Sequence, residues 1–223
     1  DMILKIWSQD PPYHLRGEFW QIDLEKYVDE ETLIGYLHKP LQKPHPPIFA
    51  PAMNVNSTTM KLAGKNGWLP MSANVIAGNV VADNWLTYEQ AALEAGRTPD
   101  RADWRVCRSI FIGDTCKDAE ETVRKNSLGL SFEYIGGLFD KGLGRKIMKR
   151  DPETPDSETG MDYLMQEQII HGDVDEVIRR LNALIGETGD FGTLILMGYD
   201  WDDKQSWVKS MKRFVDDVIP ALG

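Results

Sequence analysis

The stretch PIFAPAMNVNSTTMKLAGKNGWLPM, residues 47–71, constrains the fold of this chain more than any other. It opens with a short apolar run between prolines, which is typical of a strand buried on both faces. Polar residues of the types that cap helices follow at 54–59, then a short helical pattern that ends near Gly67, and then a second apolar run. The pattern predicts a β-α-β unit.

The polar turn at residues 54–59 also predicts a binding site. The first turn of a helix presents unpaired N–H groups and the positive end of the helix dipole, and Ser57 and Thr58 add hydroxyl groups. Together these groups suit an anion such as phosphate. The spacing leaves a second interpretation open, in which the same residues only cap the helix.

Composition excludes several classes of protein. The 223 residues include 25 Lys and Arg against 35 Asp and Glu, and the net charge of −10 disfavours a nucleic-acid backbone or an anionic membrane as partner. No apolar run approaches the roughly 20 residues of a membrane span, and no signal segment opens the chain. The two cysteines and four histidines lack metal-ligand spacing. We therefore expect a soluble, cytoplasmic protein without a metal site.

The remaining pattern repeats the first unit. Further strands are predicted at 105–112 and 193–197, and amphipathic helices at 80–95, 117–130, 174–185 and 207–219. Strand and helix thus alternate four times, which predicts an α/β fold with a parallel sheet. Four units make half of a (β/α)₈ barrel, so we expect residues 1–223 to form one domain that is the C-terminal half of such a barrel, with the earlier strands missing upstream. An open doubly wound sheet is the alternative, but no GxGxxG follows a strand.

Between residues 136 and 160 the regular pattern lapses. Glycines loosen the backbone, basic residues cluster at 141–150, and DPETPDSETG is polar with two prolines. Such an insertion in a compact domain is typical of an active-site lid or a disordered loop. The basic cluster suits either a phosphate contact or a solvated helix face.

Four segments carry a resemblance to a known family: HKPLQKPHPPIFAPAMNVNSTTMKLAGKNGWLPMSAN, GDVDEVIRRL, FGTLILMGYDW and WVKSMKRFVDDVIPAL. In order and spacing the chain resembles the C-terminal half of the bacterial luciferase-like flavin-dependent monooxygenases, and within them the limonene-oxidising members. The resemblance implies a (β/α)₈ barrel that binds reduced FMN at the carboxyl ends of its strands. It also implies O₂ as co-substrate, a flavin reductase that supplies the FMN, and a homodimeric full-length protein.

The resemblance assigns roles to particular residues. The flavin-binding residues would be Met53, Asn54, Ser57, Thr58, Met71 and Ser72, and Asn74 would line the substrate pocket. Met53 departs from the family pattern, because luciferase itself has an acidic residue there. Residues 136–160 would form the mobile loop over the active site. The catalytic residues of the family lie in the N-terminal half, so none is predicted in this chain.

These inferences lead to one leading prediction. We expect an FMN-dependent monooxygenase that oxygenates a small hydrophobic organic substrate, such as a limonene-like terpene or an alkanal. The alternatives are a deazaflavin-dependent oxidoreductase of the same superfamily, which transfers hydride without oxygen, and a non-catalytic flavin-binding relative. Expressed alone, the chain is expected to be inactive, because half a barrel leaves strand edges and apolar side chains uncovered.

Overall fold

The computed structural model describes residues 2–25, 29, 31–32, 37–142 and 144–222, and it divides into two compact units, residues 1–48 and 49–223. The smaller unit contains helix α1 (Met2–Ser8) and an antiparallel hairpin of β1 (Tyr13–Arg16) and β2 (Gln21–Leu24). Within it, Tyr13 is buried and its hydroxyl receives a hydrogen bond from the Lys39 ammonium at 2.6 Å. A single domain over residues 1–223 stays a prediction.

The larger unit is built on a parallel sheet of five strands, which confirms the predicted α/β class. They are β3 (Phe49–Ala52), β4 (Leu69–Ser72), β5 (Arg105–Ile112), β6 (Ile169–Gly172) and β7 (Thr193–Leu196). The long strand β5 pairs along its first half with β4 on one edge and β7 on the other, and it pairs along its second half with β6. Strands β3, β4, β5 and β7 therefore stand side by side in chain order. The sequence analysis did not predict β6.

Seven α-helices lie in the described part of this unit. They are α2 (Thr58–Asn66), α3 (Gly78–Glu94), α4 (Cys116–Val123), α5 (Ser127–Asp140), α6 (Met161–Glu167), α7 (Val174–Thr188) and α8 (Lys204–Arg213). The helix predicted at 117–130 was wrong in extent. It is two helices, because the Asn126 side chain accepts from the N–H groups of Leu128 and Gly129 and starts a new helix there.

The predicted lid at 136–160 contains some regular structure. Helix α5 occupies its first residues up to Asp140, and 3₁₀ turns form at Arg145–Met148 and Asp156–Glu158. Between the turns, Lys149 is buried and pairs with Asp156 at 2.5 Å. The mobility of this segment stays a prediction.

The two faces of the sheet are packed differently. One face carries small or polar buried residues, Ala50, Ala52, Pro70, Ser72 and Val106. Helices α2, α3 and α7 cover it and complete a core that includes Met60, Val81, Trp85, Trp104 and Leu181. In the same register, the opposite face carries half-buried or exposed residues, Phe49, Pro51, Leu69, Met71 and Arg105.

A second apolar cluster forms at the carboxyl end of β5. Phe111 packs edge to face on Trp207 of α8, with ring centroids 5.3 Å apart, and buried residues of α4, α5 and α6 surround the pair. None of the helices in the described part of the chain is long and apolar enough to cross a membrane.

Candidate active site

The carboxyl edge of the sheet gathers the turns that follow β3, β4 and β7. In parallel α/β folds, ligands bind at this edge because the loops that leave the strands converge there. All seven predicted site residues lie in the last residues of β3 and β4, in the turns after them, or at the start of α2. The predicted site residues therefore lie near this edge of the sheet.

The turn after β3 caps helix α2 as predicted. Ser57 is buried, and its Oγ accepts from the N–H of Met60 at 3.4 Å, while Thr58 is exposed at the first position of the helix. Asn56 adopts a left-handed conformation with φ 52°, and its N–H donates to Oδ2 of Asp83 at 2.6 Å. One N–H group of this turn is thus already hydrogen-bonded to a carboxylate. This contact was not predicted from the sequence.

A cavity of about 490 Å³ opens beside this turn. Its walls come from three parts of the chain: the turn after β3, the start of α3 and the predicted lid. They are Met53, Asn54, Val55, Asn79, Val80, Lys146, Ile147, Lys149, Arg150 and Pro152. The cavity therefore brings two of the predicted flavin-binding residues together with three cationic side chains of the basic cluster.

The three cations in this cavity differ in what they contact. Lys149 pairs with Asp156, and Arg150 pairs with Glu167 at 2.6 Å and with Glu187 at 2.5 Å. Lys146 is exposed and, among the described residues, has no carboxylate within 4.0 Å. A hydrogen bond joins the start of α3 to the lid segment, because Nδ2 of Asn79 donates to the carbonyl oxygen of Arg150 at 2.8 Å. Lys146 is thus the cation in this wall that is available to an anionic ligand.

Asn74, which follows β4, lies in a polar network with Ser109 within β5 and Tyr199 after β7. Its Nδ2 donates to Oγ of Ser109 at 2.8 Å and to the hydroxyl of Tyr199 at 3.1 Å, and the two hydroxyls also contact each other. Burial raises the pKa of the Tyr199 phenol above its ordinary value of 10.0, so the hydroxyl stays protonated at neutral pH. The Tyr199 ring stacks on Trp207, with centroids 6.0 Å apart.

Met71 and Ser72 lie on opposite faces of β4. Ser72 is fully buried on the helix-covered face, where its Oγ accepts from Nε1 of Trp104 at 3.1 Å and from Nδ2 of Asn84 at 3.3 Å. Met71 is half-buried on the other face. The side-chain oxygen of Ser72 is therefore already engaged in the core.

The structure thus places the predicted residues in several environments. Met53 and Asn54 share the cavity, while Ser57, Thr58, Met71, Ser72 and Asn74 lie outside its lining. The sequence analysis missed the parts played by Asn79, Ser109 and Tyr199. Tyr199 could have been found, because it follows the last predicted strand and so must reach the same sheet edge as Asn74.

Comparison with known proteins identifies the family. No family model matches the chain. The chain is 28% identical over 227 residues to 3,6-diketocamphane 1,6-monooxygenase from Pseudomonas putida, across 98% of this chain and 59% of that protein. A solved structure shows the oxygenating constituent of 3,6-diketocamphane monooxygenase, a type II Baeyer-Villiger monooxygenase, in complex with FMN. The present structure superimposes on it with a TM-score of 0.76 at 27% sequence identity, and the match covers 100% of this chain and 61% of that chain. The chain is therefore similar, over nearly all of its own length, to luciferase-like flavin-dependent monooxygenases.

The comparison confirms the predicted resemblance to this family. It does not support a particular similarity to the limonene-oxidising members. Limonene 1,2-monooxygenase from Rhodococcus erythropolis is a more distant relative, 26% identical over 170 residues, which cover 74% of this chain and 41% of that enzyme. The chain spans about three fifths of the length of the two diketocamphane monooxygenases that it matches over nearly all of its own length.

Proposed function

We propose that this chain is part of the oxygenase component of a two-component flavin-dependent monooxygenase. The component would use reduced FMN, supplied by a flavin reductase, and O₂ to oxygenate a small hydrophobic molecule. The single observation that carries the proposal is the cavity at the carboxyl edge of the sheet, where Asn54 meets cationic side chains of the lid segment. The relationship to a type II Baeyer-Villiger monooxygenase supports the reaction class.

We propose further that the chain contributes half of a (β/α)₈ barrel. Strands β3, β4, β5 and β7 are adjacent in chain order, as in a barrel, and helices cover one face of the sheet. The other face bears half-buried and exposed apolar residues, including Phe49 and Met71, which suits the inner wall of a barrel. Strands from outside this chain would complete the wall, and we propose a homodimer for the full-length protein.

The residues of the cavity and of the first turn of α2 beside it fit the phosphate group of FMN. The first turn of α2 leaves backbone N–H groups without partners inside the helix, and Thr58 presents an exposed hydroxyl there. Lys146 supplies a cation without a carboxylate partner among the described residues. Asn54 and Met53 would contact the phosphate and the adjoining part of the flavin. When bound, the reduced flavin supplies the activation of O₂.

The other residues of the edge would bind and orient rather than react. Met71 would present an apolar surface to the flavin ring, and Ser72 would act on the flavin site through the contacts that hold α3 against β4. Asn74, Ser109 and Tyr199 would hold one polar atom of the substrate, since the Tyr199 hydroxyl stays protonated and is able to donate. The lid at 136–160 would close over the site and exclude water.

The substrate class that fits best is a cyclic terpenoid or similar hydrophobic ketone or alkene. The diketocamphane and limonene relatives carry such molecules in their names, and an alkanal remains the second substrate candidate. A deazaflavin-dependent oxidoreductase and a non-catalytic flavin-binding protein are the alternative functions. Assays with FMN, a flavin reductase, NADH and O₂ separate the three. Substrate-dependent O₂ uptake supports the proposal, hydride transfer with a deazaflavin favours the first alternative, and no turnover favours the second.

The binding half of the proposal is tested in the full-length protein by FMN titration. Lys146→Glu reverses a charge in the cavity wall and should weaken FMN binding at least about tenfold, while riboflavin, which lacks the phosphate, should be unaffected. Lys141→Glu is the matched control, because Lys141 is an exposed lysine of the same segment outside the cavity lining. Equal FMN affinities for the two variants would reject the phosphate assignment.

A further inference from the structure

A second cavity lies on the helix-covered side of the sheet. Its volume is about 370 Å³, and it is bounded by β5, β6, α7, the start of α3 and the residues before β6. Its lining is rich in arginine and includes Arg108, Arg150, Arg179, Arg180, Glu167 and Glu187. Arg150 lines this cavity and the candidate active site alike, yet the other arginines lie only here. The proposed flavin site makes no use of them.

Arg108 is an unusual residue to find inside this unit. Its side chain is 2% exposed on β5, and Nη1 donates to the carbonyl oxygens of Cys107 at 3.0 Å and Ala73 at 3.4 Å. Nη2 is buried and has no hydrogen-bond partner among the described residues. Burial lowers the pKa of this guanidinium to about 10, so it remains a cation at neutral pH. A buried cation with an unpaired donor is costly unless a ligand satisfies it.

The nearby carboxylates do not neutralise Arg108. Both glutamates of the cavity are held by Arg150, at 2.6 Å for Glu167 and 2.5 Å for Glu187. Arg180 likewise contacts only uncharged acceptors in the part of the chain described, namely Nδ1 of His171 at 2.9 Å and the carbonyl oxygens of Met165 and Gln166. Arg108 and Arg180 therefore both line this cavity, and neither has a carboxylate within 4.0 Å among the described residues.

The charge of the lining indicates the ligand. Arg179 pairs with Glu176 at 2.6 Å and Arg150 pairs with both glutamates of the lining, so Arg108 and Arg180 are the arginines left to an anionic ligand. A phosphate group carries about −1.5 to −2 at neutral pH. Guanidinium groups bind phosphate oxygens through paired hydrogen bonds. We propose that this cavity is a phosphate-binding site, separate from the candidate flavin site, in which Arg108 and Arg180 are the main donors. The proposal does not rest on the proposed function.

Calorimetric titration of the purified protein with inorganic phosphate, at constant ionic strength, tests the site. Ala183→Glu places a carboxylate on an exposed position of α7 that lines the cavity, and it should weaken phosphate binding at least about tenfold. Asn182→Glu adds the same charge to the adjacent, equally exposed residue outside the lining and should bind phosphate as the parent protein does. Absence of phosphate binding by the parent, or equal loss in the two variants, would overturn the proposal.

Arg108→Gln is the second variant, and circular dichroism first verifies its fold. It should also lose phosphate binding, whereas Arg105→Gln, on the opposite face of β5, should retain it. The source of the phosphate group is distinguished by repeating the titration with glycerol 3-phosphate and again in saturating FMN. Tighter binding of the organic phosphate indicates a phosphorylated metabolite, and tighter binding of inorganic phosphate indicates the free ion. Displacement of phosphate by FMN, but not by riboflavin, would show that the cavity belongs to the flavin and would refute a separate site.

Discussion

The two faces of the parallel sheet differ in what covers them. On one face, Ala50, Ala52 and Val106 are buried beneath α2, α3 and α7. On the other, Phe49 remains 39% exposed, and Met71 is half-buried. Both faces are formed by the same strands, so the burial of a residue depends on whether helices cover its face.

This difference in burial indicates which face of the sheet contributes more to the stability of the larger unit. The covered face holds a packed aromatic group, in which the ring centroid of Trp104 lies 5.3 Å from that of Trp85 and 6.1 Å from that of Phe191. Ser72 is a buried polar group there whose hydroxyl is satisfied by hydrogen bonds. At Phe49 and Met71, the other face has no comparable packing to lose. The same type of substitution should therefore lower the free energy of unfolding more on the covered face than on the other face.

The largest effect is expected from Trp104→Ala on the covered side. The side chain is fully buried, so its removal leaves a large cavity and should lower the free energy of unfolding by about 3–5 kcal/mol. Met71→Ala, on the opposite face, should cost less than about 1 kcal/mol because the residue is already half-solvated. Urea unfolding of both variants measures the contrast. Similar costs would mean that the second face is packed in the purified protein, as a completed barrel requires.

A smaller effect is expected from Ser72→Ala. The change removes the acceptor of the buried Trp104 Nε1–H and should destabilise the protein by about 1–3 kcal/mol. FMN affinity should change little, because the Ser72 hydroxyl is held within the core. Thermal unfolding and FMN titration of one preparation separate the two roles. Weaker FMN binding at unchanged stability would instead support direct contact between Ser72 and the flavin.

The smallest effect is expected from acid titration of His171, at the contact between β6 and α7. Burial, and then the adjacent Arg180, lower the pKa of His171 below its ordinary 6.5. The folded state thus binds fewer protons than the unfolded chain, so the stabilisation is complete above about pH 6.5 and is lost as the pH falls through the folded pKa. His171→Gln should reduce the loss of stability between about pH 7.5 and about pH 5.5.

Local patterns in the sequence determined many of the elements, although not β6 or the division between α4 and α5. The β-branched run at 105–112 is strand β5 with the predicted bounds, and Ser57 caps α2 because its side-chain oxygen accepts from the backbone three residues on. The position of Asn74 at the edge of the sheet followed equally from the strand before it. These features depend on neighbours in the chain, which periodicity and capping chemistry describe well.

Tertiary packing alone decided which distant groups meet. Helix α3 brings Asp83 to the N–H of Asn56, the lid segment brings Lys146 to the turn after β3, and β6 joins the second half of β5. Arg108 appears in the sequence as one basic residue of an apolar strand, and only the packed helices reveal a buried cation beside a cavity. Such contacts depend on how the helices pack on the sheet. This packing results from many side chains together rather than from any local pattern.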